Sequence, residues 1–365
     1  MPADGPTASA VTAVEIRTPA RIHLGMMSFG TADMRSYGGV GVMIDRPGVH
    51  IRLRRAGRLE ARGVHAERVL EFARQCGQAW NLDDIGCSID VVAAPRSHVG
   101  LGSGTQLALA VAAGIRHLFV RGLDDTERAS VPHPAQGDFT PDDDDWLFDT
   151  RDVLELARAV GRGRRSCVGV HGFSRGGLII EAGRRVAPGG ANEDDAARDF
   201  SPMVARVRPP SAWRCVVLVA RDAVGLAGEA EKTAFRNLPP VPRAVTAELA
   251  RIALVDLLPA VVEGKFAEFA AAVRAYGFLA GEPFAPVSAL LPYAEATATL
   301  LELLVELGFP GAAQSSWGPA VVVCCESLEQ AGDLVERLDS LGLGAHHEML
   351  IARFDPDGAS LRIVE

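Results

Sequence analysis

Seven residues, Gly100-Leu101-Gly102-Ser103-Gly104-Thr105-Gln106, stand directly before the Ala/Leu-rich run LALAVAAGI. A glycine turn that feeds a helix presents unpaired backbone N–H groups at the positive end of the helix dipole, which suits a phosphate. Ser103 and Thr105 add hydroxyl donors. The spacing is neither G-x-x-x-x-G-K-[ST] nor G-x-G-x-x-G. Taken alone, the loop is equally well read as a tight turn. Other residue groups have comparable chemistry. Arg158, Arg162, Arg164, Arg165 and Arg175 crowd the stretch GRGRRSCVGVHGFSRGG, and guanidinium forks match phosphate and carboxylate. The plainer reading is a solvated loop paired with nearby Asp. In TPARIHLG, Arg21 and His23 share one strand face if Ile22 and Leu24 point to a core. His98, just before the glycine loop, is a candidate proton carrier or a simple loop hydrogen-bonder. Gln314, Ser315, Ser316 and Trp317 form a polar loop able to close over a ligand; the plainer reading is a hairpin turn with a packed Trp.

The elements that position these residues are readable from periodicity. AVEIRTPARIHLGMMSF predicts a strand that turns at Pro19 and continues. RSYGGVGVMIDRPGVHIRLRR predicts two strands around a Pro-Gly turn. HAERVLEFARQCGQAWN has helical spacing, GCSIDVVAAP is a strand, and a helix runs from about Thr105 to Val120. TRDVLELARAVG is helical. GRGRRSCVGVHGFSRGGLIIEAG reads as a loop, a short buried piece, a glycine turn and a strand. After the polar stretch EAGRRVAPGGANEDDAARD come the strand WRCVVLVAR, several long helices, the strand AVVVCCES, another helix and closing strands. Strands and helices mix without strict alternation, which predicts two α+β layers. The expected division is residues 1–195 and 196–365, with residues 121–150 an acidic insertion loop. The run Asp142 to Asp145 in that loop offers oxygen ligands for a cation, or a solvated surface.

The 365 residues suit two domains. A formal net charge of −9 argues against nonspecific nucleic-acid binding. No apolar run is long enough to span a membrane, and the N-terminal stretch lacks the pattern of a secretory signal. The six cysteines include no C-x-x-C pair, so neither a zinc knuckle nor a disulfide framework is expected. A cytoplasmic protein is the expectation.

In their order along the chain, PARIHLG, PRSHVGLGSGTQ, HGFSRGGLIIEAG and GAAQSSWGP resemble the motifs of the GHMP kinase superfamily. The resemblance covers nearly the whole chain. It implies an α+β fold with an S5-like two-layer N-terminal domain, a ferredoxin-like C-terminal domain and a ligand cleft between them. The departures are specific. The kinases have Ser where Gly104 stands. They carry an Asp before the Gly-Gly strand, where this chain offers Arg, Ser and Cys. Their third motif is glycine-rich, where this chain has Gln-Ser-Ser-Trp. With YGGVGVMIDRPG and GRGRRSCVGVHGFSRGGLIIEAGR, these departures are similar to the β-ribofuranosylaminobenzene 5′-phosphate synthases of methanopterin biosynthesis. That resemblance implies condensation of 4-aminobenzoate, or 4-hydroxybenzoate, with phosphoribosyl diphosphate, releasing carbon dioxide and diphosphate. Mg²⁺ is implied, ATP is not, and a homodimer is expected, with small-molecule substrates and neither nucleic acid nor membrane as partner. Its site residues would be Arg21, His23, His98 and Arg175 for catalysis. Gly100, Leu101, Gly102, Ser103, Gly104, Thr105, Gln106, Arg164, Arg165, Gln314, Ser315, Ser316 and Trp317 would bind substrate, with the 314–317 loop closing to exclude water. An ATP-dependent small-molecule kinase and a non-catalytic ligand sensor are the alternatives.

Overall fold

The computed structural model describes residues 12–31, 34–120, 148, 150–185, 200–226, 228–288 and 291–364. The acidic run Asp142 to Asp145, most of the 121–150 insertion and residues 186–199 around the expected domain boundary lie outside them. In chain order the first half gives β1 (Ala13–Met26), β2 (Gly39–Arg55), β3 (Glu60–Gly63), α1 (Ala66–Trp80), β4 (Cys87–Ala93), α2 (Ser103–Phe119), α3 (Thr150–Ala159), α4 (Val168–Arg175) and β5 (Leu178–Glu181). The second half gives β6 (Met203–Val207), β7 (Arg214–Ala220), α5 (Gly228–Arg236) and α6 (Arg243–Arg251). A π-turn at Ile252–Leu257 leads into α7 (Leu258–Val262), followed by α8 (Phe266–Gly281), α9 (Ala285–Ser288) and α10 (Ala294–Glu306). The chain ends with β8 (Ala312–Gln314), β9 (Ala320–Cys325), α11 (Leu328–Ser340), β10 (His347–Arg353) and β11 (Ser360–Val364).

Among the described residues, seven strands form one mixed sheet along β11-β1-β2-β4-β3, with β5 on β2 and β6 on β5. Strands from both sides of residue 195 therefore share this sheet. The predicted turns at Pro19 and Pro47-Gly48 do not end their strands. Thr18 faces Val49 and Ala20 faces Ile44, so Pro19 and the segment Asp45 to Gly48 bulge out together and pairing resumes beyond them. The short buried piece after Cys167 is the helix α4.

Period-two alternation builds the cores. Val14, Ile16, Ile51, Leu53 and Ile89 meet the apolar stripes of α1 to α4. Farther along β1 and β2, Ile22, Leu24, Val42 and Ile44 pack with β5, Trp213, α8 and one face of the second sheet. That sheet has the order β10-β7-β9-β8. Its strands enter the chain as β7, β8, β9, β10, with α8 and α10 before β8 and α11 after β9, which is the ferredoxin-like winding. Val217 and Val322 face the shared core, while Val216, Leu218, Val321 and Val323 face α10 and α11. Each such aliphatic side chain contributes about 1.5–3 kcal/mol. The shared core fixes the glycine loop against the second sheet, and this placement sets the site.

Candidate active site

Strand β1 turns Ile22 and Leu24 into the shared core and so presents Arg21 and His23 on its other face. The Arg21 amide donates to Leu101 O at 3.0 Å, lacing the strand to the glycine loop. The His23 amide donates to Ser315 Oγ at 3.0 Å, and that hydroxyl donates to Gly100 O at 2.8 Å. The Ser316 amide returns to His23 O at 2.9 Å. One buried serine thus ties strand, loop and second sheet together.

Gly100 and Gly318 let two backbones touch. A Cβ on Gly318 would lie 2.2 Å from the Val99 carbonyl carbon, and one on Gly100 would lie 2.4 Å from Ser315 O. The 314–317 segment, the last residue of β8 and the turn into β9, therefore packs directly on the glycine loop. Gln314 Nε2 donates to Gly318 O at 2.9 Å. Trp317 stacks on Phe235 of α5, with centroids 4.9 Å apart and planes 11° apart, and meets Phe284 edge-on at 5.2 Å.

Cations surround the loop. A Cβ on Gly104 would sit 2.6 Å from Arg68 Nη2, so the Arg68 guanidinium occupies the space a serine would need. Arg68, from α1, also donates to Ser97 Oγ at 3.3 Å. Arg165 Nη2 pairs with Glu231 Oε1 at 3.1 Å, and the Arg165 guanidinium lies 4.4 Å from the Phe235 ring centroid. Arg164 borders Gly161. Burial and then the Arg68 charge pull the Arg162 guanidinium down to about 10. Burial brings Arg21 down to about 10 as well, against the attraction of Glu181 and Glu231. Four buried guanidinium nitrogens here lack a hydrogen-bond partner: Nε and Nη1 of Arg21, Nε of Arg162 and Nη1 of Arg165. Desolvated donors of this kind are costly unless an acceptor arrives.

Beneath them, His23 Nε2 lies 3.0 Å from Ser166 Oγ. Burial, with the Arg21 charge, holds His23 well below the usual imidazole range, so the ring is neutral. The same Ser166 hydroxyl accepts the Val168 amide at the start of α4 at 3.3 Å. Glu181, at the end of β5, accepts the Cys167 amide on Oε2 at 2.7 Å. Burial pushes its carboxyl up to about 7, while the Ser166 hydroxyl, the Cys167 amide, the Ser201 hydroxyl and the Arg21 charge hold it from rising further.

The remaining residues singled out from sequence divide. Leu101 is buried and Ser103 Oγ donates to Arg96 O at 3.4 Å. Gly102 caps α2 with φ 68°. Thr105 borders Gly169. Gln106 is fully buried and donates to Gly169 O at 2.7 Å, a tie between α2 and α4. His98 is exposed with φ 62°, its carbonyl accepts the Gly225 amide at 2.7 Å, and burial of its ring and then the Arg68 charge lower its imidazole. Arg175 is carried away from this group. It ends α4, about 12 Å along the helix from Cys167, and its carbonyl accepts from Arg206 beside the Asp355–Gly358 turn. The residues that sequence reasoning missed are Arg68, Ser166, Glu181, Glu231 and Phe235.

A crowd of partly unsatisfied guanidinium groups over backbone amides, with a neutral His–Ser pair and a fully buried carboxyl below, is suited to holding a polyanion and stabilising charge that gathers on it. The two-sheet frame with its glycine loop on α2 defines a GHMP kinase fold. A homoserine kinase from Cytophaga hutchinsonii superposes with a TM-score of 0.60 at 14% identity, covering 98% of this chain and 100% of that one. Mevalonate pyrophosphate decarboxylase from Streptococcus pyogenes gives 0.61 at 12% identity, covering 96% and 99%.

Two curated relatives define the branch. Beta-ribofuranosylphenol 5′-phosphate synthase of Archaeoglobus fulgidus is 31% identical over 273 residues, 72% of this chain and 74% of the relative. The protein of the same name from Methanothermobacter thermautotrophicus is 28% identical over 326 residues, 84% and 87%. The chain belongs to the β-ribofuranosylphenol 5′-phosphate synthase family and is an enzyme. No family model matches it. Among the described residues, no helix is long and apolar enough to cross a membrane.

Proposed function

We propose that this enzyme joins the ribosyl group of phosphoribosyl diphosphate to a para-substituted benzoate, as a decarboxylating phosphoribosyltransferase. The anomeric carbon–oxygen bond to diphosphate breaks, and the electron pair leaves with the diphosphate. The ring carbon bearing the carboxylate attacks from the opposite face and sets the β configuration. The carboxylate then departs as carbon dioxide, its bonding pair restoring aromaticity. The relatives are named for a phenol product, which favours 4-hydroxybenzoate over 4-aminobenzoate. Either para group supplies the electron push, so no strong general base is required.

The observation that carries this reading is the set of partnerless guanidinium nitrogens on Arg21, Arg162 and Arg165 around a loop whose kinase serine is replaced by glycine. Arg68 and the loop amides complete a cradle for two anionic groups. Phe235 is sandwiched between Trp317 and Arg165, so the aryl ring is proposed to pack against Trp317. The site's carboxyls are Glu231, paired with Arg165, and the fully buried Glu181; the two do not form an oxygen cage for a hard cation. Mg²⁺ is proposed to enter on the substrate's own diphosphate oxygens. The buried Glu181 is out of reach of a substrate hydroxyl, which weighs against an ATP-dependent kinase.

The test is incubation with phosphoribosyl diphosphate, Mg²⁺ and either 4-hydroxybenzoate or 4-aminobenzoate labelled in the carboxyl group. Labelled carbon dioxide is expected without ATP. ATP consumption with an alcohol acceptor, and no labelled carbon dioxide, would overturn the proposal.

A further inference from the structure

Cys167, His171 and Glu181 meet below the site, apart from the guanidinium cradle. Cys167 and His171 are one helical turn apart at the start of α4, so both project from one face. Glu181 arrives from the end of β5. Relative exposures are 0%, 4% and 0%. One ligand atom from each lies within 4.8 Å of the other two, and among the described residues no other group of His, Cys, Asp and Glu is assembled this way.

The hydrogen bonds leave a set of free lone pairs. His171 Nε2 lies 2.8 Å from Ser201 O. A carbonyl only accepts, so Nε2 carries the proton and Nδ1 holds a lone pair. Nδ1 is buried and has no hydrogen-bond partner. Oε2 of Glu181 takes the Cys167 amide and the Ser166 and Ser201 hydroxyls also act on this carboxyl, while Oε1 is buried. The Cys167 thiol donates to Gly163 O at 3.4 Å. A buried lone pair left unused costs about 1–3 kcal/mol. A histidine whose far N–H is held by a carbonyl is the arrangement that orients metal-binding imidazoles.

We propose that Cys167 Sγ, His171 Nδ1 and a Glu181 carboxylate oxygen bind one borderline-soft divalent cation of the zinc class. Sulfur and imidazole donors disfavour Mg²⁺ and suit zinc, so this ion is distinct from any that accompanies diphosphate. Tetrahedral zinc would bring the three ligand atoms to roughly 3.5 Å from one another, inside the 4.8 Å within which the three residues already offer donors, with the imidazole turned to present Nδ1. On binding, the thiol loses its proton to solvent and a metal–sulfur bond replaces the contact to Gly163 O. Three protein ligands leave a fourth position for water or another group. Cys167 directly follows Ser166, so the ion would fix the turn that presents Ser166 to His23.

The experiment uses the full chain expressed in medium supplemented with zinc, and separately with cobalt. About one metal per chain is expected by elemental analysis. The cobalt protein should show a thiolate-to-cobalt charge-transfer band. X-ray absorption of the zinc protein should show one sulfur near about 2.3 Å with lighter N/O neighbours. Cys167→Ala should lose the band and Cys215→Ala should keep it. Absence of metal from the wild type in both media, a first shell without sulfur, or a band that persists in Cys167→Ala would each overturn the proposal. The wild-type measurements decide the matter even if Cys167→Ala does not fold.

Discussion

Replacing Gly104 by Ser restores the kinase residue and tests whether Arg68 now does the work at that position. The new Cβ would lie 2.6 Å from Arg68 Nη2 and 3.3 Å from its Cζ, so the guanidinium must move by about 1 Å or swing away. A charge-assisted hydrogen bond to phosphate is worth about 1.5–3 kcal/mol, and 1.4 kcal/mol is about tenfold in affinity. Binding of phosphoribosyl diphosphate should weaken by about 10- to 100-fold, read by titration calorimetry at fixed Mg²⁺. Thermal stability should not fall. Gly104 sits in the first turn of α2 without a positive φ, and Ser is the better helix former by about 0.5 kcal/mol. In a double-mutant cycle with Arg68→Ala the two changes should be strongly non-additive. Wild-type affinity in Gly104→Ser, or simple additivity in the cycle, would refute the reasoning. Gly102 is a blunter probe, because its φ of 68° and a Cβ only 3.1 Å from Arg21 Cβ would strain the backbone as well.

Arg21→Met should reduce turnover at least about 100-fold while leaving the melting temperature no lower than wild type, because a guanidinium with two partnerless buried nitrogens gives way to an apolar chain of similar length; a clear fall in melting temperature would contradict this. Asp355 offers a pH signature. Burial raises its carboxyl to about 6, although the Gly358 and Asp357 amides oppose the rise. A folded value above the unfolded one means the extra stability is present below about pH 4 and is lost as pH climbs through 6. Asp355→Asn should therefore gain on the wild type by about 1–2 kcal/mol between pH 4.5 and 7.5 in urea denaturation, and parallel curves for the two proteins would refute it.

Legibility in the sequence followed the strength of local signals. The glycine loop, α2 and the Arg21/His23 face were readable because glycines and alternation act over a few residues. Strands β7 and β9 are legible as continuous aliphatic runs, whereas the three residues of β8 read as loop. Arg68 did not, since a charged residue on an amphipathic helix has the pattern of a solvent face, and only tertiary packing turns it toward Gly104. Glu181 looked like the polar end of a strand, and nothing local says that it ends in the interior beside Cys167. Phe235 belongs to α5, a helix without a buried residue, so periodicity gave it no weight. Arg175 shares a sequence motif with the arginine loop, but the eight-residue helix α4 sets its backbone at the other end, beside the Asp355–Gly358 turn.

The pairing of β11 with β1, Ala13 to Arg17 against Ser360 to Val364, has a consequence for how the molecule forms. Strand β1, which carries Arg21 and His23, gains its second edge partner from the far end of the sequence. Such a non-local pairing is slow to close. Until Ser360 to Val364 docks, the Ala13–Arg17 edge of β1 stays open, so closing the first sheet requires segments from both halves of the chain to have come together.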